Sequence, residues 1–152
     1  MKRIVAAFIT IALMLSMTAC MFGGKQWYTS SYTCYIQEKA GSSLSGESST
    51  DEKLGETRLN TYANVLVSDN IINAVIDKNP SIGISPDELK DMLSVRVLDD
   101  SEIIEVSVTA NDPETAYKLA SSHATVAPDN VRMIFEGSSM KIISYPKMPN
   151  TK

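Results

Sequence analysis

Apolar and polar positions alternate along this chain with two periods, and each change of period marks an element. Residues 27–38, rich in Tyr, Thr and Ile with polar alternation, read as a first strand. From 53 to about 67, Leu59, Tyr62, Ala63 and Leu66 fall at three- and four-residue spacing, which marks one face of a helix. Ser68-Asp69-Asn70 interrupts that spacing and can cap a second helical segment bearing Ile72, Val75 and Ile76. Asn79-Pro80 ends it, because proline disfavours the helical state in the residue before it. Ser85-Pro86-Asp87-Glu88 is a helix start: Ser85 caps, Pro86 takes the first helical position and Glu88 can reach back to close a capping box.

The period then shortens to two. Val95 and Val97 alternate with Ser94, Arg96 and Leu98, Asp99-Asp100-Ser101 turn the chain, and Ile104, Val106 and Val108 alternate with Glu105, Ser107 and Thr109. Asp112-Pro113-Glu114 opens a further helix with a capping acid, a proline and a second acid. Its apolar side carries Ala116, Leu119, Ala120, His123 and Ala124. Pro128 is expected to stop this helix, with a shorter helical stretch over 129–136 and a last strand over 140–145 beyond Gly137. The pattern predicts an α+β two-layer domain: a three- to four-stranded, mostly antiparallel sheet with helices on one face. No repeat is visible at periods of about 20 to 50 residues.

Length and composition narrow the reading. The chain has 152 residues, of which 43% are apolar, enough for one domain with a core. Lys2 and Arg3 followed by an apolar run to Ala19 form a basic and then a hydrophobic targeting region. Residues 15–20, LSMTAC, fit a lipoprotein signal in which Cys20 is acylated, except that Met17 stands where leucine is preferred. Residues 4–22 also fit an uncleaved membrane helix, at 1.5 Å per residue about long enough to span. Both readings place residues 1–22 as a signal or anchor and the domain of 28–149 outside the cytoplasm, tethered to the cell membrane. Without Lys2 and Arg3 the 14 basic residues become 12 against 18 acidic ones, a net charge of −6. That balance leaves no basic stripe, so a nucleic-acid partner is not expected. The segment AGSSLSGESSTD, 40–51, is too polar to pack and reads as a connector.

The residues offer no catalytic constellation. His123 is the one histidine and sits on an apolar helix side, where a packed imidazole is the ordinary outcome. The acid pairs Asp51-Glu52, Asp87-Glu88 and Asp99-Asp100 fall respectively in the polar loop, at a helix start and in a hairpin turn. The serines lack the glycine-flanked turn of a hydrolase nucleophile, and no glycine-rich phosphate loop is present. A non-enzymatic protein with no cofactor and no metal is therefore expected.

The order of these features resembles the extracytoplasmic domain of the polysaccharide chain-length determinants, the Wzz-like co-polymerases. The residues that carry the resemblance are Tyr32-Thr33-Cys34-Tyr35-Ile36 after the apolar segment, Thr61-Tyr62-Ala63 with Ser68, and Ser85 with Leu89. The hairpin and its DPETAYKLA helix start, then Ile142-Ile143-Ser144-Tyr145-Pro146 with Pro149, complete the set. Only the short helical region 60–90 stands where a long helical arm occurs in Gram-negative members, so the likeness is to the compact Gram-positive capsule type.

The resemblance implies a scaffold role in surface polysaccharide biosynthesis, setting chain length or export through a homo-oligomer that works with the polymerase machinery. The family has a membrane helix where 4–22 lies. If Cys20 is lipidated, Cys34 is left without an intramolecular partner: it stands at the family's small alanine position as a buried strand residue, with an intermolecular disulfide as the alternative. Self-association would use helix and sheet-edge surfaces, with the strand beginning at Tyr32 as a candidate edge and Tyr32 and Tyr35 as candidate interface residues. A tyrosine kinase is a partner in Gram-positive versions through a cytoplasmic tail after a second membrane helix. The sequence runs to Lys152, before that place, so the kinase role is not carried over. The alternative is an extracytoplasmic lipoprotein module that binds glycan or a partner protein, for which Trp27, Tyr28, Tyr32 and Tyr35 are the exposed-aromatic candidates.

Overall fold

A computed structural model describes residues 26–38, 52–98 and 101–150. The leader with Cys20, the polar connector and the Asp99-Asp100 part of the hairpin turn lie outside the described residues. The elements follow in the order β1 (Tyr28–Glu38), α1 (Glu52–Leu66), α2 (Asp69–Lys78), α3 (Pro86–Met92), β2 (Leu93–Val97), β3 (Ile104–Ala110), α4 (Pro113–Ile134) and β4 (Ser138–Ser144). The four strands make one antiparallel sheet in the order β2-β3-β1-β4, with helices packed against it. This is the α+β two-layer domain that the periodicity predicts.

Alternation decides which side of the sheet is the core. In β3, Ile104, Val106, Val108 and Ala110 are fully buried while Glu105, Ser107 and Thr109 between them are half-buried. Register carries this pattern across the sheet: Val95 faces Val106, Val106 faces Tyr32, and Ile36 faces Met140. Because side chains alternate with period two, a slip of one residue would turn every one of these to the wrong side. α4 lies over β1, β3 and β4, and α2 packs on α4. Leu119, Ala120 and Ala127 of α4 meet Ile71, Ile72 and Val75 of α2 in one core.

The helix starts form as their residues require. Ser85 Oγ accepts from Glu88 N at 3.3 Å while Ser85 N donates to the Glu88 carboxylate at 2.8 Å, a complete capping box. Asp112 accepts from Thr115 N at 2.7 Å ahead of Pro113. Ser68 takes the N-cap position of α2, as its place in the sequence suggests, but its side chain makes no cap bond, and its buried Oγ has no partner among the described residues. Gly137, at φ 85°, makes the left-handed turn between α4 and β4 that residues with a Cβ rarely adopt.

Two expectations are corrected. Pro128 does not stop the last helix, which runs through it to Ile134 as one element of 22 residues. Proline removes one helical hydrogen bond, but Val126, Ala127 and Val131 on either side of it are buried in the core. Burying those groups outweighs the missing bond, and the helix continues. The second correction concerns the sheet edge. β1 is an inner strand, paired on one side with β3 and on the other with β4, so the free edges belong to β2 and β4. The early position of β1 in the chain says nothing about its place in the sheet, because β4 returns from the far end of the sequence to cover it.

Candidate functional site

Tyr32, the first candidate interface residue, lies inside the core. It is 1% exposed, and its hydroxyl meets His123 Nδ1 at 2.8 Å. The other imidazole nitrogen, Nε2, is 2.8 Å from the carbonyl oxygen of Leu66, the last residue of α1. A carbonyl can only accept, so Nε2 carries the proton, Nδ1 accepts, and the tyrosine hydroxyl donates. The imidazole thereby satisfies one of the carbonyls left open at the end of α1. It links β1, α4 and α1 at a single buried point. Burial pushes the His123 pKa down to about 4, partly opposed by the bond to Leu66. Burial also raises the Tyr32 pKa well above its ordinary value, with the neighbouring Cys34 adding to the shift. Both groups are neutral at pH 7, in keeping with a structural pin.

Cys34 is fully buried two residues further along β1, and its thiol is pushed up to about 12 by burial. A thiol in that state is neither a nucleophile nor accessible for pairing with another chain. Tyr35, the second candidate interface residue, points to the opposite side of the sheet, half-buried and in register with Lys141. The aromatic group expected around Tyr32 is therefore divided. Tyr32 is core, Tyr35 is on the other face, Tyr28 is half-buried with its hydroxyl on Gln26 at 2.7 Å, and Trp27 is 63% exposed.

Across β2, β3 and the middle of β1 that other face of the sheet is polar, while Tyr35 and the exposed Ile143 of β4 lie towards its other edge. One row runs Ser94, Ser107, Ser31 and the next Arg96, Glu105, Thr33. Thr29 and Thr109 are hydrogen-bonded through their hydroxyls at 2.8 Å, and Arg96 Nε pairs with Glu105 Oε2 at 2.6 Å. Hydroxyl groups spread over a sheet face make a surface that can hydrogen-bond a polar partner. Among the described residues no group of three His, Cys, Asp or Glu side chains is gathered so as to hold a metal ion. No helix among them is long and apolar enough to cross a membrane.

Exposed large apolar side chains were not legible from the periodicity, because they lie at element ends. Trp27 precedes β1, Ile143 is the last residue but one of β4, Tyr145 and Met148 follow β4, and Met133 and Ile134 end α4.

The molecule is thus a two-layer α+β domain in which Glu88 and Asp112 serve as helix caps and His123 as a buried pin. No family model matches the sequence. The chain is 25% identical over 134 residues to CpsC, a capsular polysaccharide biosynthesis protein of Streptococcus pneumoniae, covering 84% of this chain and 58% of that protein. It is 30% identical over 86 residues to YwqC, a probable capsular polysaccharide biosynthesis protein of Bacillus subtilis (strain 168), covering 57% of this chain and 34% of that protein. The likeness to the Wzz-like capsule-biosynthesis family is borne out by these relatives. The chain spans less than two thirds of the length of either.

Proposed function

We propose that this domain is a non-enzymatic, membrane-anchored scaffold in capsular polysaccharide biosynthesis, acting outside the cytoplasm on the length or export of the polymer through self-assembly. The observation that carries this reading is the similarity to CpsC across 84% of the chain. The structural duties of Glu88, Asp112 and His123 fit a scaffold, since each is bonded within the fold. In this reading protomers meet through the free edges of β2 and β4 and the helix surfaces, and the polymerase or export machinery is organised around them. Sedimentation of the detergent-extracted full-length protein tests the assembly: a closed oligomer is expected, and a strictly monomeric species at all concentrations would overturn it.

A second reading is kept by one observation, the hydroxyl-rich open face of the sheet with Ser31, Ser94, Ser107 and Thr109. Such a face suits a module that binds glycan or a partner protein without assembling. A glycan-binding screen separates the two: saturable glycan binding by a monomer, lost in Ser31→Leu, is expected only of the module.

A further inference from the structure

We propose that the open face of the sheet is a platform for an extended acidic polysaccharide, with Arg96 and Lys141 holding its carboxylates and Tyr35 and Ile143 lying under its sugar rings. This rests on the capsule-biosynthesis role above, deepens it by naming the ligand class and its site, and does not depend on assembly.

Charge on this face runs against that of the chain, which carries 18 acidic residues and 14 basic ones. The strand residues 28–37, 93–97, 104–110 and 138–144 hold two cations, Arg96 and Lys141, and one acid, Glu105. All three are on the open face, Arg96 opposite Glu105 and Lys141 opposite Tyr35. Asp77, Asp87, Asp91 and Glu114 belong to the helices instead. Arg96 holds Glu105 through Nε, so that pair does not use the N–H groups on the two terminal nitrogens of the guanidinium. The Arg96 side chain is 67% exposed, and its terminal fork suits a carboxylate arriving from solvent. Lys141, exposed on the edge strand at the other side of the sheet, adds a second, point-like charge.

The apolar part of the platform comes from a break in register. Ser144 faces Thr33 and Ile142 faces Cys34, which leaves Ile143 between them without a partner. A bulge of this kind sets two residues against one and re-aims a side chain. Ile143 is turned to the open face, 52% exposed, on the same side as the half-buried Tyr35. Together they make an apolar floor that the C–H face of a pyranose ring can cover.

Between this floor and Arg96 lie the hydroxyls of Thr33, Ser31 and Ser107. Each can donate or accept, as the hydroxyls of a sugar require. Strands about 4.8 Å apart put the β2 and β4 edges about 14 Å from one another, room for several sugar rings laid across the strands. The face favours a glycan over a peptide. An extended peptide gains most from a free strand edge that pairs with its backbone, whereas sugar hydroxyls need only side chains.

The full-length protein in detergent is titrated by calorimetry with oligogalacturonate, a chain of uronic acids, and with a maltooligosaccharide of the same length as its neutral counterpart. The expected result is saturable binding of oligogalacturonate, roughly tenfold tighter than the neutral chain and weaker in high salt. Arg96→Ala should weaken it roughly tenfold again, and Lys141→Ala and Ile143→Ser several-fold each. Lys118→Ala removes a lysine paired with Glu114 on α4 and should change nothing. Urea unfolding of each variant separates lost binding from lost structure. Equal affinity for the two chains, equal binding of polyglutamate, or an equal loss in Lys118→Ala would overturn the inference. So would an absence of binding by protein that still sediments as an oligomer, which would leave the scaffold standing. Surface polysaccharide unchanged in cells lacking the protein would sink the capsule role itself, whatever the titration shows.

Discussion

The two faces of the central sheet differ by one residue step and have opposite characters. Counting along β3, Ile104, Val106 and Val108 are closed into the core, while Glu105, Ser107 and Thr109 form part of a polar surface. On the packed face a titratable group, His123, has both ring nitrogens bonded and its charge suppressed. On the open face a charged pair, Arg96 and Glu105, stands in partial contact with solvent. The comparison teaches that the chemistry-bearing residue types on the inner face are framework here.

The sharpest way to break this comparison is to truncate matched positions. Ile104→Ala should lose about 2–5 kcal/mol in urea unfolding, because it leaves a cavity in a closed core. Ser107→Ala, three residues away on the open face, should stay within about 0.5 kcal/mol. Equal losses would mean that something covers the open face.

The next largest effect is on pH dependence. The His123 pKa is about 4 in the folded protein against an ordinary value near 6.5, so the unfolded chain binds the proton more readily. The stabilisation from neutral His123 is complete above about pH 6.5 and is lost as pH falls towards 4. At about 1.36 kcal/mol per pKa unit this amounts to a few kcal/mol. Urea titrations between pH 7 and 4 check it: His123→Gln should flatten the part of the slope that starts above the carboxylate range, and an unchanged slope would contradict the pin.

Tyr32→Phe comes next. It removes the donor to His123 Nδ1 while keeping the ring, and should cost about 1–3 kcal/mol by the same measurement. The smallest effect is expected outside. Arg96→Ala should cost under about 1 kcal/mol, and less still in high salt, since the guanidinium is mostly exposed and its pair is screened.

Much of the framework was legible because it is local. The Ser85 box, the Asp112 cap and the two-residue period of 104–109 are decided by neighbours a few positions apart. What escaped was decided at long range. That β1 is inner depends on a strand more than 100 residues later, and nothing in the Tyr32 segment announces it. Pro128 misled because local preference favours a stop, whereas Val131 and Ala127 gain from burial that only the fold supplies. Of the candidate site residues, Tyr32 proved to be core because its partner, His123, lies 91 residues away. Tyr35 remained on the surface, as strict alternation from Cys34 would require.

The scaffold reading is tested most directly by the length distribution of the surface polysaccharide, resolved on gels, from cells lacking this protein and from the same cells complemented with it. The account predicts that the deletion shifts or broadens the distribution, and that complementation restores it in Tyr32→Phe, a variant that changes stability alone. A distribution and yield identical with and without the protein would contradict the account.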